Sequence, residues 1–219
     1  MVPQVQSLLT TLWKRLRKMH NKFNSLTNEF LIGIRFNNYK DWFHAHKDMY
    51  KHNVHEPITE LANEVYERLH QMDNNFVQAP KISRANRDIR FSKNKNPYKE
   101  SKWFFLRSDG KPDLTYPKPT YFFEISPDWW RYGLFYAPKP SYMAAYRIKL
   151  EAEKARFKDI TDRIVSEGFF EISGESYKRE FKNDLPQELN SWYQRKSIEL
   201  THYEDYLNTD FYTDKLVDI

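Results

Sequence analysis

The fold is set in the middle of the chain by three segments, Lys102-Trp-Phe-Phe-Leu-Arg107, Thr120-Tyr-Phe-Phe-Glu-Ile-Ser126 and Arg131-Tyr-Gly-Leu-Phe-Tyr-Ala137. Successive side chains of a strand point to opposite faces, and Phe, Tyr and Trp are frequent in strands. Alternation of this kind, bounded by Pro, Gly and Asn, is typical of antiparallel strands. The sequence therefore predicts an aromatic-rich antiparallel sheet in the middle of the chain.

Helical patterns flank these strands on both sides. Apolar residues recur at intervals of three and four over residues 26–34, 39–53, 58–72 and 141–167. After Gly168, weaker patterns predict strands at residues 169–173 and 177–181, followed by short helices to the end. Helices first, strands in the middle and helices last predict an α+β fold. Since no repeat or linker interrupts the pattern, we predict a single domain over residues 23–219.

Residues 1–22 are predicted to form a basic amphipathic N-terminal extension. Leucines recur there at helical spacing beside lysines and arginines, and the first 28 residues contain no acidic residue. Such a helix can lie on a membrane surface, and an acid-free terminus can be a targeting segment. A terminal helix docked on the domain by its apolar stripe is the favoured interpretation, because surface helices commonly have this pattern.

The composition excludes several classes of protein. The 219 residues include no cysteine, so the chain has no disulfide framework, Cys-based zinc site or thiol nucleophile. Its five scattered glycines form neither a GxGxxG turn nor a P-loop. The longest apolar runs are far shorter than the ~20 residues that a membrane helix needs. We therefore predict a soluble protein with no transmembrane segment and no cofactor.

A basic segment at residues 84–102 carries seven Lys and Arg residues against two acidic residues. Planar guanidinium groups bind phosphate or carboxylate at two points, and lysine adds a mobile charge. If residues 88–92 form a strand, Ile89 and Phe91 face the core and the polar residues face outward. The predicted ligand-binding residues are Arg84, Arg87, Asp88, Arg90, Ser92, Lys95, Tyr98 and Lys99. The alternative is a salt-bridged strand and turn whose charges face water.

The same segment supports a family resemblance. The pattern Arg84-x-x-Arg87-Asp88-x-Arg90-Phe91-Ser92-x-x-Lys95-x-Pro97-Tyr98-Lys99 resembles the signature of the uncharacterised family called domain of unknown function 2461. Looser similarities are Asn37-Asn38-x-x-x-Trp42-Phe43 upstream and Tyr121-Phe-Phe-Glu-Ile-Ser-Pro127 downstream. Two departures are a single glycine in residues 132–136 and the additional first 22 residues. The resemblance implies a single soluble cytoplasmic domain and supplies no reaction.

Two weaker site candidates lie outside the basic segment. His44, Asp48, His52 and His55 fall on one arc of a predicted helix, and these residue types bind zinc. A solvated polar face is favoured there, because metal ligands normally converge from more than one element. Glu124, on a predicted strand, is a candidate acid or base, although a salt-bridged glutamate is the more common case.

Three hypotheses for function follow. The leading one is a domain that binds an anionic small molecule, through a phosphate or carboxylate group, at residues 84–99. The second is an enzyme acting on a phosphorylated or carboxylated small molecule, with Asp88 or Glu124 as the base. The third is nucleic-acid binding, since basic residues beside a sheet rich in aromatic residues can hold single strands. The sequence does not indicate an oligomeric state.

Overall fold

The computed structural model describes residues 23–72, 78–107 and 118–205. Its helices are α1 (Ser25–Phe36), α2 (Lys40–Ala45), α3 (Lys47–Tyr50), α4 (Glu56–Met72), α5 (Pro140–Ala152), α6 (Lys154–Glu167) and α7 (Gln187–Tyr193). A π-helical turn (Lys51–His55) joins α3 to α4. The strands are β1 (Lys81–Ile82), β2 (Lys102–Arg107), β3 (Thr120–Ile125), β4 (Trp129–Tyr136), β5 (Glu171–Ser173) and β6 (Ile198–Asp205).

The six strands form one sheet in the order β1-β2-β3-β4-β6-β5, and every neighbouring pair is antiparallel. The three segments that predicted the sheet became β2, β3 and β4, which are adjacent to one another. The prediction of an α+β fold built on an aromatic-rich antiparallel sheet is therefore confirmed.

The start of α1 shows how local sequence fixes an element. The side chain of Asn24 accepts hydrogen bonds from the backbone N–H groups of Leu26 (2.9 Å) and Thr27 (3.2 Å). The hydroxyl of Thr27 accepts in return from the backbone N–H of Asn24 (3.1 Å). This reciprocal capping box satisfies N–H groups that a helix start otherwise leaves unpaired. Helix α1 thus begins at a defined point.

The two faces of the sheet differ in what covers them. The face that carries Phe104, Phe123 and Tyr132, here called the core face, packs against the helices in two clusters of buried apolar residues. One cluster joins α1 and α4 to β2, β3 and β4, and the other joins α5, α6 and α7 to β6. The opposite face, here called the outer face, contributes no aromatic residue to either cluster.

The structure corrects the predicted C-terminal half. The helix predicted over residues 141–167 is two helices, because Glu153 leaves the helical region (φ −115°, ψ 35°). Residues 177–181 do not form a strand, whereas residues 198–205 form β6, which the sequence had assigned to short helices. Strand β6 lies between β4 and β5, so it completes the sheet.

Within the described ranges, no helix is both long and apolar enough to cross a bilayer. The predicted extension at residues 1–22 lies outside the described residues, so its helical docking stays a prediction.

Candidate functional site

Residues 84–99 form a closed loop between β1 and β2, here called the basic loop. Asn86 and Tyr98 form an antiparallel bridge at its base. The N–H of Arg87 donates to the carbonyl of Pro97 (2.8 Å), and the N–H of Lys99 donates to the carbonyl of Ala85 (2.8 Å). The basic segment is therefore a loop with a hydrogen-bonded base.

The prediction of a strand at residues 88–92 is wrong, because these residues form no strand. Phe91, which was expected to pack on the core, is 96% exposed. The N–H of Ser92 donates to the carbonyl of Ile89 (3.3 Å) in a turn, and the ammonium of Lys95 donates to the same carbonyl (3.1 Å). These local bonds take the place of a ladder with a neighbouring strand, which alternation alone cannot supply.

Tyr98 fixes the basic loop to the core. Its ring is 5% exposed and stacks on the ring of Phe43, with centroids 4.1 Å apart. The side chain of Asn38 accepts from the N–H of Tyr98 (2.9 Å) and donates to its carbonyl (3.1 Å). The ring of Tyr98 therefore anchors the loop to the core, and its role in ligand binding stays a prediction.

Asp88 and Arg90 form a pair on the exposed side of the loop. The guanidinium of Arg90 donates to both carboxylate oxygens of Asp88 (2.9 and 2.7 Å). These bonds hold the pKa of Asp88 below its usual range, and the charge of Arg84 adds to the effect. Asp88 thus holds the guanidinium of Arg90 in place, and the role of both residues in ligand binding stays a prediction. The charge of Arg90 is thereby compensated, which separates it from the other cations of the loop.

Three cations gather at the base of the loop: Arg84, Arg87 and Lys99. The ammonium of Lys99 donates to the backbone carbonyls of Arg84 (2.7 Å) and Asn86 (2.6 Å). Burial lowers the pKa of Lys99, and the charges of Arg84 and Arg87 lower it further. Arg87 also donates to the hydroxyl of Ser92 (3.4 Å). No carboxylate of the described residues forms an ion pair with any of the three.

Lys102 lies on the core face and is 2% exposed. Its ammonium donates to the hydroxyl of Tyr50 (2.7 Å) and to the carbonyl of Ser83. Burial, and secondarily the charge of Lys99, lowers its pKa to about 8, while burial raises the pKa of Tyr50 to about 12. Sequence reasoning counted Lys102 as one more base of the segment. The sequence signal for its burial is its position, because residues 102, 104 and 106 share one face of strand β2.

The histidine cluster forms no metal centre in the described part of the chain, where no three His, Cys, Asp or Glu residues are arranged to hold a metal ion. His52 instead hydrogen-bonds through Nδ1 to the carboxylate of Glu56 (2.7 Å). The ring of His55 lies parallel to that of Tyr50, with centroids 6.0 Å apart. Burial and the nearby charge of Lys102 lower the pKa of His55.

Glu124 lies on the outer face of the sheet. Its carboxylate accepts from the guanidinium of Arg131 (2.8 and 3.0 Å) and from the hydroxyl of Ser101 (2.7 Å). Lys102, in contrast, belongs to the core face. The two proposed bases, Glu124 and Asp88, are thus each ion-paired with an arginine. No hydrogen bond among the described residues joins them.

Comparison with known proteins gives a family and no individual relative. Searches of curated proteins and of solved structures found no match. The model of one family, described as "Conserved hypothetical protein (DUF2461)", matches residues 26–218. This match covers most of the chain, so the chain belongs to the DUF2461 family, as its sequence resemblance predicted.

Proposed function

We propose that the protein binds a small anion, through a phosphate or carboxylate group, at Arg84, Arg87 and Lys99. The observation that carries the proposal is the crowding of these three cations with no ion-paired carboxylate, described above. Burial lowers the pKa of Lys99, and the charges of Arg84 and Arg87 lower it further, because like charges held together disfavour their own charged forms. A bound anion would remove this repulsion and supply the missing hydrogen-bond acceptors.

Donors are available for such a ligand. Lys99 uses two of the three N–H bonds of its ammonium on carbonyls, which leaves one for an anion. Among the described residues, the guanidinium of Arg87 makes one long hydrogen bond, to the hydroxyl of Ser92 (3.4 Å). Arg84 is exposed, and it acts on Asp88 from beyond ion-pair distance. Two guanidinium groups and one ammonium match the oxygens of a phosphate or a carboxylate.

Lys102 adds charge behind this cluster. The charge of Lys99 lies close enough to add to burial in lowering the pKa of Lys102. Because the Lys102 ammonium is buried, it would attract the anion through its electrostatic field and would not contact it directly. Such attraction is stronger away from water. We infer that an anion at the basic loop also stabilises the charged form of Lys102.

The two other hypotheses have less support. For catalysis, the proposed bases Asp88 and Glu124 are both engaged by arginines, so neither is a free base. For nucleic acid, the three cations occupy one end of a loop, and strong binding needs charges that follow a backbone over several phosphates. We therefore propose binding of a small anion and no reaction.

Isothermal titration calorimetry with inorganic phosphate, pyrophosphate and citrate tests the proposal. Arg84→Gln and Arg87→Gln each remove one free guanidinium, and we expect each to weaken the best of these anions by about tenfold. Arg90→Gln is the matched control, because it removes a cation of the same loop that Asp88 already compensates. We expect that control to bind within about twofold of the unaltered protein.

Equal losses in all three variants would refute the site, since they would reflect general charge and not the cluster at the base. A twelve-nucleotide single strand provides the other comparison. If it binds more tightly than pyrophosphate, and its affinity falls steeply with salt, the nucleic-acid hypothesis replaces this one.

A further inference from the structure

The outer face of the sheet, on which neither cluster of the described residues packs, is aromatic, whereas the solvated face of an antiparallel sheet is usually polar. Its rings are Trp103, Phe105, Phe122, Trp129, Phe135 and Tyr203. Neither cluster of buried apolar residues includes any of them. Phe135 is 41% exposed and Tyr203 is 51% exposed. The other four rings are half-buried, and neighbouring aromatic rings that are left partly exposed are typical of an interaction site.

Cations lie over these rings. Lys81 and Arg107 both approach the ring of Phe105, at 5.6 and 5.0 Å from its centroid. The guanidinium of Arg131 lies 5.5 Å from the centroid of Phe122 and is also close to Trp129. Aromatic residues and arginine are the residue types enriched at the centres of protein–protein interfaces.

Charge is distributed unevenly across the outer face. One row of neighbouring residues across the six strands begins with Lys81 on β1 and ends with Glu171 on β5. The next row begins with Arg107 on β2 and includes Glu199 on β6, whose carboxylate also lies 3.6 Å from the guanidinium of Arg131 in the same chain. The β1–β2 side of the face therefore carries Lys81 and Arg107, the β6–β5 side carries Glu171 and Glu199, and the ion-paired Glu124 and Arg131 lie between them. Such a surface is complementary to a reversed copy of itself.

We propose that two copies of the chain pair through their outer faces, about a two-fold axis that runs along the strands between β3 and β4. This rotation places β1 over the partner's β5 and β2 over the partner's β6, as an isologous contact requires. Lys81 then meets the partner's Glu171, and Arg107 meets the partner's Glu199. An axis across the strands would place basic side over basic side, so the charges select the first arrangement.

The geometry of packed sheets permits these contacts. Face-to-face sheets lie about 10 Å apart and cross at about −30°. At an edge about 12 Å from the axis, this crossing shifts partners by about 6 Å, which lysine and glutamate side chains can span. The flat contact area is roughly 500 Å² on each copy, at the low end for specific interfaces. We therefore expect a dissociation constant of the dimer in the micromolar range.

A charge swap measured by analytical ultracentrifugation between about 1 and 200 μM tests the proposal. Within one copy, Lys81 and Glu171 lie five strand spacings apart, about 24 Å, so they cannot interact. Lys81→Glu and Glu171→Lys should each weaken the dimer at least about fivefold, because each contact occurs twice. The double variant should restore it to within about twofold. Arg163→Glu on α6 is the control and should leave association unchanged.

A monomer at 200 μM, or a double variant as weak as its parents, would overturn the proposal. So would a chain that stays monomeric and loses binding of a single-stranded oligonucleotide on Lys81→Glu, which would assign the face to nucleic acid. Both altered residues are exposed, and circular dichroism verifies that each variant folds. The dimer does not depend on the anion site, so Arg87→Gln should associate normally.

Discussion

Replacing Lys102 by methionine should change how the stability of the protein depends on pH. In the native protein its pKa is lowered from 10.5 to about 8, mainly by burial. In the unfolded chain, the same ammonium is exposed to water and titrates near its ordinary value. Between these two pKa values the unfolded chain binds more protons than the native protein, so the free energy of unfolding rises with pH. Methionine carries no proton, so the Lys102→Met variant lacks this rise.

The size of the effect follows from the two pKa values. One pKa unit corresponds to 1.36 kcal/mol, so a fall from 10.5 to about 8 penalises the native state by about 3 kcal/mol. This penalty is complete below pH 8 and has disappeared above pH 10.5. Between pH 7 and pH 10, the wild type should gain about 2.5 kcal/mol relative to Lys102→Met.

Urea unfolding of both proteins at half-unit steps of pH provides the measurement. Groups other than Lys102 titrate in both proteins and cancel in the difference between the two free energies. A difference that stays constant within about 0.5 kcal/mol from pH 7 to pH 10 would refute the buried ammonium. If Lys102→Met does not fold, the NMR chemical shift of the Lys102 Cε atom in the wild type, followed as a function of pH, gives the midpoint of the Lys102 titration directly.

Three further outcomes are expected from local geometry. Asn24→Ala removes the capping box with Thr27 and should lower the free energy of unfolding by about 1 kcal/mol in urea titrations. Gly133→Ala should lower it by more than about 2 kcal/mol, because the added Cβ collides with the backbone carbonyl of Leu200; a smaller loss would mean that the sheet yields there. Phe91→Ser should change the melting temperature little, since the ring is exposed. A loss of more than about 1 kcal/mol in the free energy of unfolding would instead mean that Phe91 packs on the core, as the predicted strand requires.

The sheet was predictable only where its core face is apolar. Strands β2, β3 and β4 carry apolar residues at most core-face positions, so alternation identified them. In β6 the core-face positions are Ile198, Leu200, His202 and Glu204, of which half are polar. His202 is satisfied there by donating through Nδ1 to the carbonyl of Phe169 (2.7 Å) and by its contact with Glu204 (2.9 Å). A partner 33 residues away leaves no periodic signal, so hydropathy could not identify β6.

The candidate site was predictable in its charges and not in their pairing. The motif placed the cations in one segment, but it could not show that Arg90 is compensated by Asp88 while Arg84 and Arg87 are not. Spacing also predicted a strand at residues 88–92, where the described part of the chain has no strand alongside. Lys102 escaped notice because a lysine beside a basic run is ordinarily solvated. Its burial results from packing against Tyr50 and the backbone of residue 83, which only the fold brings together.

The energetics of Lys102 are themselves an argument for an anion. At neutral pH its charge costs about 3 kcal/mol, whereas methionine would avoid that cost and leave the carbonyl of Ser83 unpaired, at about 1–3 kcal/mol. The two costs nearly cancel, so the ammonium brings little stability to the empty protein. An anion at Lys99 would change this balance, because it would neutralise the charge of Lys99, which adds to burial in lowering the pKa of Lys102. Saturating pyrophosphate should therefore move the titration midpoint of Lys102 above pH 8. An unchanged midpoint would mean that Lys102 does not interact with an anion at the basic loop.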